Sequence, residues 1–530
     1  MSSRATIKDP KQSLIADAGT LGGRPWCRTL SAACSLRNVN GQHGRVRFKE
    51  ITFGYKSAEA ERRANPALLD SGFFQSDGVV DSLLCSPRFI VLGYKGSGKS
   101  SIAEHLDIAA DQDPYMFVEI ALLKDFPFDD IPNLVPGDSN ESVRTSLAWS
   151  ILLLIRLIES LMQDEGARDV DGQLGVVIDH LRSLGLLKRR KFKDLVLRTK
   201  EIDLALELPK FLKGTVKLAP EHAVNTLTTV RDSLREAVSQ VETESRHVLV
   251  LDGLDEVFDG FERYYPTIAA LVHEADALNT FFDSTDSCTK VVLLCRTDIF
   301  ERLPSPNINK LRDYAVHLNW YESDKPYASK LFRLASHRAG LAGYEGSNVI
   351  KDYLPQRLDR GTAGDIQTAS FLLDHTRHTP RDFLQLLFHV QLATPSTRAR
   401  PTSADVLDGL KLYSTEYFLP EIKDELSGYL SPDEVSDCLR ILGGVRAREF
   451  SLSDLIGYAK RSGIGDKASI EESLRVLFDC SAVGNIVYRP RGSGHTSTYF
   501  TFRFRNRNSA VNFDEKFLLH RGLWKSFNLM

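Results

Sequence analysis

A short glycine-rich stretch has the residue types and the spacing of a phosphate-binding loop. The stretch from Gly93 to Ser100 reads G-x-x-x-x-G-K-S, which is the P-loop motif. Its glycines let backbone N–H groups approach phosphate oxygens, its lysine reaches the β and γ phosphates, and its serine hydroxyl binds Mg²⁺. The sequence therefore predicts ATP and Mg²⁺ as cofactors, with Lys99 also catalytic and Ser100 a metal ligand. The residues predicted to bind the nucleotide here are Gly93, Tyr94, Lys95, Gly96, Ser97, Gly98, Lys99, Ser100 and Ser101.

A second acidic cluster lies about 150 residues further on, at the end of the run H-V-L-V-L-D-G-L-D-E (His247 to Glu256). A carboxylate at the tip of a buried strand beside a P-loop holds Mg²⁺ directly or through water. Asp252 is assigned that role. Asp255 and Glu256 are both candidates to orient or deprotonate the attacking water. The sequence does not separate them, and Asp255 is slightly preferred.

Two arginines have positions suited to sensing the phosphates. Arg296 follows the next apolar run and is predicted to contact the γ-phosphate, with pairing to Asp298 as the alternative. Arg381 stands near the start of a predicted helix, where a cation is unfavourable and requires an anionic partner. That partner is either the nucleotide or a carboxylate, Asp382 among others. The candidates for the base pocket are Tyr55, Lys56 and Phe74.

Apolar runs alternating with helical patterns position these residues. Strand, helix and strand alternation predicts a parallel sheet, whose ligands bind at the carboxyl ends of the strands. One further segment, 203–217, alternates apolar and polar residues and predicts a small hairpin. The predicted strands are Phe89–Leu92, Met116–Ala121, His247–Leu251, Lys290–Leu294 and Tyr314–Trp320, and the predicted helices include Ser139–Gln163, Glu221–Val241 and Tyr327–Ala339.

The sequence pattern of the C-terminal part predicts three helices followed by a β-hairpin. This is the order of elements in a winged-helix domain. The helices are 431–442, 452–460 and 469–480, and the strands are 484–490 and 497–505. Arginines alternate with aromatic residues along this hairpin, a pattern that suits duplex DNA, although protein contacts are the alternative. These residues are Arg489, Arg491, Arg503, Arg505 and Arg507 with Tyr488, Tyr499, Phe500, Phe502 and Phe504.

Length and composition indicate several domains. A chain of 530 residues exceeds one ordinary core, and 42% hydrophobic with 26% charged residues describes a globular protein. The chain has a net charge of −3. Residues 1–50 and residues 481–530 each have a net charge of +6, so residues 51–480 have a net charge of −15. This distribution indicates local contacts with anions and not nucleic-acid binding over the whole surface. Scattered cysteines indicate a reducing cytoplasm, and Arg156 interrupts the most apolar helix, so no membrane segment is expected.

The predicted fold class is α/β: a P-loop NTPase parallel sheet with a helical lid and a C-terminal winged-helix domain. The predicted domains are a disordered leader (1–45, with a transit peptide as the alternative), an ATPase domain (46–320, with a helical or hairpin insertion at about 165–220), the lid (321–411) and the winged helix (412–530).

These motifs together resemble P-loop ATPases of the STAND and AAA+ kind. The resemblance rests on G-Y-K-G-S-G-K-S (Walker A), V-L-V-L-D-G-L-D-E (Walker B), Arg296 and T-P-R at Arg381. F-G-Y-K-S-A-E-A-E near the start and L-L-H-R-G-L-W-K-S-F near the end are similar to a sparsely characterised group of bacterial P-loop ATPases. STAND membership implies a nucleotide-controlled switch in signalling or antiviral defence. AAA+ membership implies a ring of identical chains, with Arg312 as the candidate arginine finger.

The leading hypothesis is an enzyme, a Mg²⁺-dependent ATPase whose turnover drives a conformational switch read by a protein partner. The alternative is an ATP-controlled, initiator-like DNA-binding protein. A nucleotide-binding scaffold with negligible turnover and a kinase are the remaining alternatives. No guanine-reading N-K-x-D follows the last strands, which favours ATP over GTP.

Overall fold

The computed structural model describes residues 46–187, 191–202, 204–212, 223–254, 261–305, 307–322, 326–490 and 496–529. The predicted leader 1–45, the candidates Asp255 and Glu256, and Arg491 lie outside the described residues. The strands are β1 Ile90–Gly93, β2 Met116–Leu122, β3 Arg168–Asp169, β4 Val241–Glu242, β5 Arg246–Leu254, β6 Thr289–Arg296, β7 Ala315–His317, β8 Arg357–Leu358, β9 Ile366–Gln367, β10 Glu449–Phe450, β11 Val483–Pro490, β12 Thr496–Thr501 and β13 Lys516–Leu519.

Helices connect and cover these strands. A π-helical stretch, Tyr413–Phe418, joins the helices Ser403–Leu412 and Leu419–Leu426. The α-helices are α1 Ala58–Ala64, α2 Val79–Cys85, α3 Lys99–Gln112, α4 Glu141–Leu161, α5 Gln173–Ser183, α6 Phe192–Glu201, α7 Leu204–Glu207, α8 Ala223–Ser239, α9 Tyr265–Ser284, α10 Thr297–Arg302, α11 Ile308–Leu311, α12 Lys330–Gly340, α13 Val349–Tyr353, α14 Thr368–Leu373, α15 Pro380–Ala393, α16 Ser403–Leu412, α17 Leu419–Leu426, α18 Pro432–Val445, α19 Leu452–Ser462 and α20 Lys467–Asp479.

A parallel sheet forms the centre of the N-terminal part. Over the described residues it has five strands in the order β2-β5-β6-β1-β7. Every pairing is parallel, so the carboxyl ends of all five strands meet at one edge. This sheet, with helices on both faces, fits an α/β P-loop NTPase. The predicted strand Tyr314–Trp320 is shorter in the structure, because a 3₁₀ turn occupies Arg312–Tyr314 and the chain leaves the sheet after His317.

Alternate residues of β1 face two separate cores. Ile90 and Leu92 pack with the apolar helix α4 and with α8 and α9 on one side of the sheet. Val91 packs with α2 and α3 on the other side. The helix predicted at about 139–163 is confirmed. Of the two cap candidates in its sequence, Ser139 and Asn140, it is Asn140 that caps the helix, with its side chain accepting a hydrogen bond from Ser142 N at 2.9 Å. Both faces of the sheet are therefore buried, as expected for parallel strands.

A third core unites the helices after the sheet with the C-terminal region. Phe48, Ile51 and Phe53 from the start of the described chain pack into it, together with residues of α12, α15, α18 and α20. Gln391 of α15 fixes this N-terminal segment, because its side-chain amide donates to the carbonyls of Phe48 at 2.6 Å and Ile51 at 2.8 Å. The chain before the P-loop therefore contacts the helices beyond the sheet.

The C-terminal region contains the three predicted helices, now α18, α19 and α20, and a four-stranded antiparallel sheet. The order within that sheet is β10-β13-β11-β12, so β13, which the hairpin prediction omitted, lies inside it. The second hairpin strand was predicted to reach Arg505, and this was wrong. It ends at Thr501, and residues 503–505 form a turn in which Arg505 N bonds to Phe502 O at 3.0 Å. The winged-helix fold itself stays a prediction.

The hairpin predicted at 203–217 was wrong over its described part. Residues 204–207 form α7 and Leu208–Phe211 forms a 3₁₀ turn. Leu204 and Leu208 are both buried. Residues four apart lie on the same face of a helix and also on the same face of a strand, so the spacing of these leucines fits either structure. Across the described chain, no helix combines the length and apolar composition needed to cross a membrane.

Candidate functional site

The glycine-rich loop connects the end of β1 to the start of α3, as predicted. Gly98 precedes the helix with φ +99°, and no side chain of the described residues caps the helix there. The first N–H groups of a helix have no carbonyl partner within the helix, so an uncapped N-terminus attracts an anion. Gly96 also has a positive φ, +78°. The loop thus has the left-handed glycine turns that let backbone approach phosphate oxygens closely.

Lys99 lies in the loop with its ammonium group against the backbone. Its Nζ donates to the carbonyls of Gly93 at 3.1 Å and Tyr94 at 3.2 Å, and the side chain is only 3% exposed. A lysine held this way is close to the anion position and can exchange a carbonyl for a phosphate oxygen. Ser100 and Ser101, in the first turn of α3, line the cavity in front of the loop.

Two neighbouring cavities meet at this loop. The first is polar and contains Lys99, Ser100 and Arg381 together with the predicted base-pocket candidates Tyr55 and Lys56. The second cavity is largely apolar and is lined by the third candidate, Phe74, and by residues such as Val79, Ile102 and Trp320. Gly98, Ser101 and Arg338 border both cavities. A phosphate chain in the first and a planar base in the second would therefore be continuous.

A buried ion pair forms the wall between these cavities. The guanidinium of Arg338, on α12, binds both carboxylate oxygens of Glu61, on α1, at 2.7 and 2.9 Å and also donates to Phe53 O. Both side chains are at most 6% exposed, so either one alone would be a costly buried charge. Sequence reasoning missed this pair because nearly three hundred residues separate its members.

Trp320 supports the loop from behind. Its indole Nε1 donates to Ser97 O at 2.9 Å, and its ring lies 6.2 Å from the ring of Phe74. Trp320 is therefore both a wall of the apolar cavity and a hydrogen-bond donor to the P-loop.

The helix α15 brings Arg381 to the P-loop. Pro380 is the first helical residue and Thr379 caps the helix, with its hydroxyl accepting from Asp382 N at 3.2 Å, which confirms the predicted helix start. Arg381 N donates to Gly96 O at 3.2 Å, and its guanidinium lies 3.3 Å from Glu421. Among the alternatives left open for Arg381, a carboxylate is thus present, and it belongs to Glu421.

Glu421, on α17, joins the loop and the helix electrostatically. Lys95 of the P-loop lies 3.1 Å from the same carboxylate oxygen that Arg381 contacts. Burial raises the pKa of Glu421, but Lys95, Arg377 and Arg381 hold it below its ordinary value overall. Glu421 is therefore an anion between two cations. No local pattern predicted it, because its partners lie far away in the chain.

A buried network fixes the start of α15. The Asp382 carboxylate accepts from Arg377 at 2.9 and 3.0 Å and from the Tyr417 hydroxyl at 2.9 Å. Arg377 also donates to Glu425 at 2.6 Å. Asp382 is therefore occupied and is not the partner of Arg381. The network ties α15 to the π-helical stretch and α17, which carry Tyr417 and Glu425.

Asp252 lies on β5 at an irregularity in the pairing with β6. Its Oδ1 accepts from Gly253 N at 2.8 Å, and the strand continues to Leu254, three residues beyond the predicted end at Leu251. The register shifts between Leu251 and Leu254, and Gly253 has φ +96° with no room for a Cβ beside the backbone of Leu123. Such a bulge re-aims a side chain. β6 separates β5 from the P-loop strand.

Arg296 ends β6 in register with Gly93 of the P-loop strand. Its guanidinium binds Asp298 at 3.0 and 2.7 Å and contacts the hydroxyl of Tyr429 at 3.3 Å. The pairing alternative is therefore present, but the pair is buried, with Arg296 7% exposed, where a surface pair was expected. Burial opposes the charge on Asp298, and Arg296 overcomes this, so the pKa of Asp298 lies below its usual range.

Three of the arginines assigned to DNA contact are partly exposed and have contacts within the protein, whereas Arg489 is exposed. Arg503 donates to Glu301 at 2.9 Å, and Arg505 lies 3.9 Å from Asp374. Arg507 contacts His317 at the end of β7. Arg312, the candidate finger, lies 4.0 Å from Glu301 and is about one-third exposed.

The protein side chains alone do not form a complete Mg²⁺ site, but they could bind the ion together with the phosphates of a nucleotide. Among the described residues, no group of three or more His, Cys, Asp or Glu side chains is arranged to hold a metal. Ser100 and Asp252 provide a hydroxyl and a carboxylate, and phosphate oxygens and water complete such sites in P-loop proteins. Mg²⁺ would neutralise phosphate charge there.

No protein-family model matches this chain, and no curated protein is significantly similar to it. Among solved structures, the chain is similar to "Crystal structure of Cdc6p from Pyrobaculum aerophilum". The two share 13% sequence identity with a TM-score of 0.27, over 85% of this chain and 93% of that chain. A TM-score at this level does not establish a common fold.

Proposed function

We propose that this protein binds and hydrolyses ATP with Mg²⁺ and uses the cycle as a conformational switch. The observation that carries the proposal is the uncapped N-terminus of α3, which has Lys99 beside it and an apolar cavity next to it. Backbone N–H groups and Lys99 would hold the phosphates, while Ser100 and Asp252 would hold Mg²⁺. The ion would stabilise charge that develops on the transferred phosphate.

The switch element is α15 with its partner α17. Arg381 is bonded through its backbone to the loop and through its side chain to Glu421. A triphosphate in the polar cavity would compete with Glu421 for Arg381, because Arg381 borders that cavity. Lys95, the other cation on Glu421, would then keep that carboxylate to itself. Hydrolysis would return Arg381 to Glu421. A protein partner that reads the position of α17, in signalling or antiviral defence, is part of this proposal.

The first experiment measures phosphate release and ATP affinity in Lys99→Ala and in Lys423→Ala. Lys423 is an exposed lysine on α17 and serves as the matched control. We expect Lys99→Ala to weaken ATP binding at least tenfold and to abolish turnover, whereas the control retains both. Equal ATP affinity in both variants would refute nucleotide binding at the P-loop.

The catalytic acid is tested separately, because the sequence leaves Asp255 and Glu256 open. Each is replaced alone, as Asp255→Asn and Glu256→Gln, and ATP affinity is measured beside turnover. The residue that orients water is the one whose variant binds ATP normally but releases phosphate at least a hundredfold more slowly. Asp255 is the preferred candidate. Normal turnover in both variants would exclude both residues from this role.

ATP-controlled binding of duplex DNA is the second candidate function, and one observation favours it. Tyr488, Tyr499 and Phe500 are 51%, 43% and 39% exposed on β11 and β12, and the Arg489 guanidinium lies 5.3 Å from the ring centroid of Tyr499. Exposed aromatic residues with arginine suit nucleic acid. We expect salt-sensitive DNA binding that Arg489→Gln weakens. Binding that is unchanged in this variant would exclude this face.

A ring of identical chains is a further part of the AAA+ alternative, with Arg312 supplied to a neighbour's nucleotide. Its partial exposure in a turn before β7 leaves it accessible. Turnover per chain would then rise with protein concentration, and Arg312→Ala would remove that rise without weakening ATP binding. Turnover per chain that does not depend on concentration would argue against this assembly.

A further inference from the structure

A third cavity lies behind the P-loop, away from the space assigned to ATP. Its volume is about 420 Å³, within the range of sites for small organic ligands. The end of β7, the segment before α15 and the turn after β12 all contribute to it. Ser97, Leu318 and Trp320 form a wall that this cavity shares with the apolar cavity of the ATP site. The two spaces are therefore neighbours but separate.

The cavity carries positive charge without a matching carboxylate. Arg505 and Arg507 line it, and no aspartate or glutamate occurs among the described residues of its wall. Arg507 donates to His317 Nδ1 at 3.0 Å, so its neighbour is another basic group and not an acid. Arg505 has its nearest acid, Asp374, only at 3.9 Å. Two arginines in this arrangement favour an anionic ligand.

A buried histidine points to the same ligand independently. His378 lines the cavity, is 7% exposed, and its Nδ1 has no hydrogen-bond partner among the described residues. Buried polar atoms are normally bonded, so this nitrogen calls for a partner in the cavity. Burial lowers the pKa of His378 to about 3, with Arg505 contributing, so the ring is neutral at physiological pH. Its backbone has φ +53°, which is uncommon for histidine and typical of functional positions.

Aromatic rings border the charged groups. Tyr321 lies edge-on to His378 at 4.9 Å between ring centroids, and Phe504 stacks on His378 at 5.2 Å. The guanidinium of Arg505 lies 5.9 Å from the Tyr321 ring and 5.6 Å from the Phe504 ring. Exposed amide side chains at Asn319 and Asn506 lie at the rim. Flat surfaces, amides and paired arginines together suit a ligand with a planar base and a phosphate.

We propose that this cavity binds a nucleoside monophosphate, with the phosphate on Arg505 and Arg507 and the base against Tyr321 and Phe504. His378 Nδ1 bonds to the ligand between these ends. The site is distinct from the P-loop and does not depend on ATP hydrolysis. Because Ser97 and Trp320 border both spaces, an occupant contacts the residues that support the P-loop.

The test is calorimetric titration of AMP, GMP, CMP and UMP, one at a time, into full-length Lys99→Ala protein, in which the P-loop lysine is absent. We expect at least one of the four to bind with a stoichiometry of one. Adding Arg507→Gln should weaken that binding at least tenfold. Adding Arg440→Gln, an exposed arginine on α18 outside the cavity, should leave it unchanged. Equal affinities in these two double variants, or no binding by any of the four, would overturn the proposal.

Two further arms identify the ligand chemistry. Tyr321→Leu in the same background tests the base contact without changing charge, and we expect a loss of at least fivefold. Inorganic phosphate should bind at least tenfold more weakly than the best mononucleotide. Equal binding of phosphate would reduce the site to a simple anion site and overturn the nucleotide assignment. A failure of Lys99→Ala to impair ATP binding would contradict the proposed function but would leave these comparisons valid.

Discussion

Glu421 is the carboxylate that connects the P-loop to the helices beyond the sheet. It compensates Lys95 and Arg381, and Arg381 also borders the polar cavity that the phosphates would occupy. Removing its charge leaves the cations together, so the local positive potential rises. A triphosphate would gain from that potential, whereas the protein without nucleotide would lose a charge-assisted contact.

We therefore expect Glu421→Gln to bind ATP about three- to tenfold more tightly, while its free energy of unfolding falls by about 1 kcal/mol. Titration with ATP and urea unfolding measure the two effects. Asp424→Asn, an exposed acid on the same helix, is the control and should change neither. Weaker ATP binding in Glu421→Gln would show that Glu421 organises the site and does not compete with the phosphates.

His375 provides a pH test at a single residue. Burial lowers its pKa to about 3, while its Nδ1 bonds to Phe371 O at 2.7 Å. The unfolded chain takes up this proton first, so the stability from a neutral His375 is complete above about pH 6.5 and is lost as pH falls. Between pH 7.5 and 5.5 the loss from this one group is about 1.4 kcal/mol.

The measurement is urea unfolding of the protein and of His375→Asn at both pH values. Asparagine keeps an N–H donor for Phe371 but has no titrating ring. We expect the variant to lose about 1.4 kcal/mol less than the parent on acidification. Identical pH dependence in His375→Asn and the parent would contradict a depressed pKa.

The P-loop and α15 are the two elements whose contact defines the site. Gly96 has its carbonyl bonded to Arg381 N, and a Cβ on Gly96 would approach the Cβ of Arg381 to 3.0 Å. Gly98 has a similar positive φ, but its Cβ would meet open space. The two glycines therefore share backbone strain and differ in their contact with α15.

This difference makes Gly96→Ala and Gly98→Ala a matched pair. Both should lose about 1 kcal/mol from the positive φ, and Gly96→Ala should lose about 1 kcal/mol more because α15 must move. Unfolding in urea without nucleotide measures both values. Equal losses would indicate that α15 adapts at no cost, and the proposed coupling between loop and helix would then be too weak to transmit the nucleotide state.

Elements with a strong local pattern were predicted, and elements determined by distant contacts were not. The apolar run of β5, the long apolar helix α4 and the T-P-R start of α15 are local, and each was predicted at or near its observed place. The segment 204–211 has an alternating pattern but forms a helix and a 3₁₀ turn, because burial of Leu204 and Leu208 suits both structures. Periodicity over five residues does not separate them.

At the site the same limit applies to side chains. Motif spacing predicted the loop from Gly93 to Ser101 and the position of Arg381. It did not predict Glu421, Glu61 or Arg338, whose partners are brought near only by the complete fold. The arginine pattern of the hairpin also did not predict that Arg503 forms an ion pair with Glu301. A pattern of residue types gives the chemistry of a surface but not the side of the molecule on which it is used.

Across the whole molecule, a few ion pairs hold the C-terminal region against the sheet. Two neighbouring residues at the end of α10 form these pairs. Glu301 pairs with Arg503 at 2.9 Å, and Arg302 pairs with Asp479 at 2.7 Å. The hydroxyl of Tyr94 in the P-loop also donates to Arg503 O at 3.4 Å. The P-loop and the end of α10 thus contact the same short segment after β12. A change at the loop can reach the C-terminal sheet through this contact.

We expect that charge reversal will test this docking. Glu301→Arg or Arg503→Glu alone places like charges together, so the segment 502–509 should separate from the sheet and become at least fivefold more sensitive to limited proteolysis. The double variant Glu301→Arg with Arg503→Glu restores opposite charges and should recover the parent's resistance, because the pair is only about one-fifth exposed and little screened. If the hairpin region binds DNA, Glu301→Arg should bind it more tightly than the double variant, because it frees Arg503 from docking and keeps its positive charge. Proteolysis that is the same in all four proteins would show that the apolar core shared with α15 and α18, and not this ion pair, holds the C-terminal region in place.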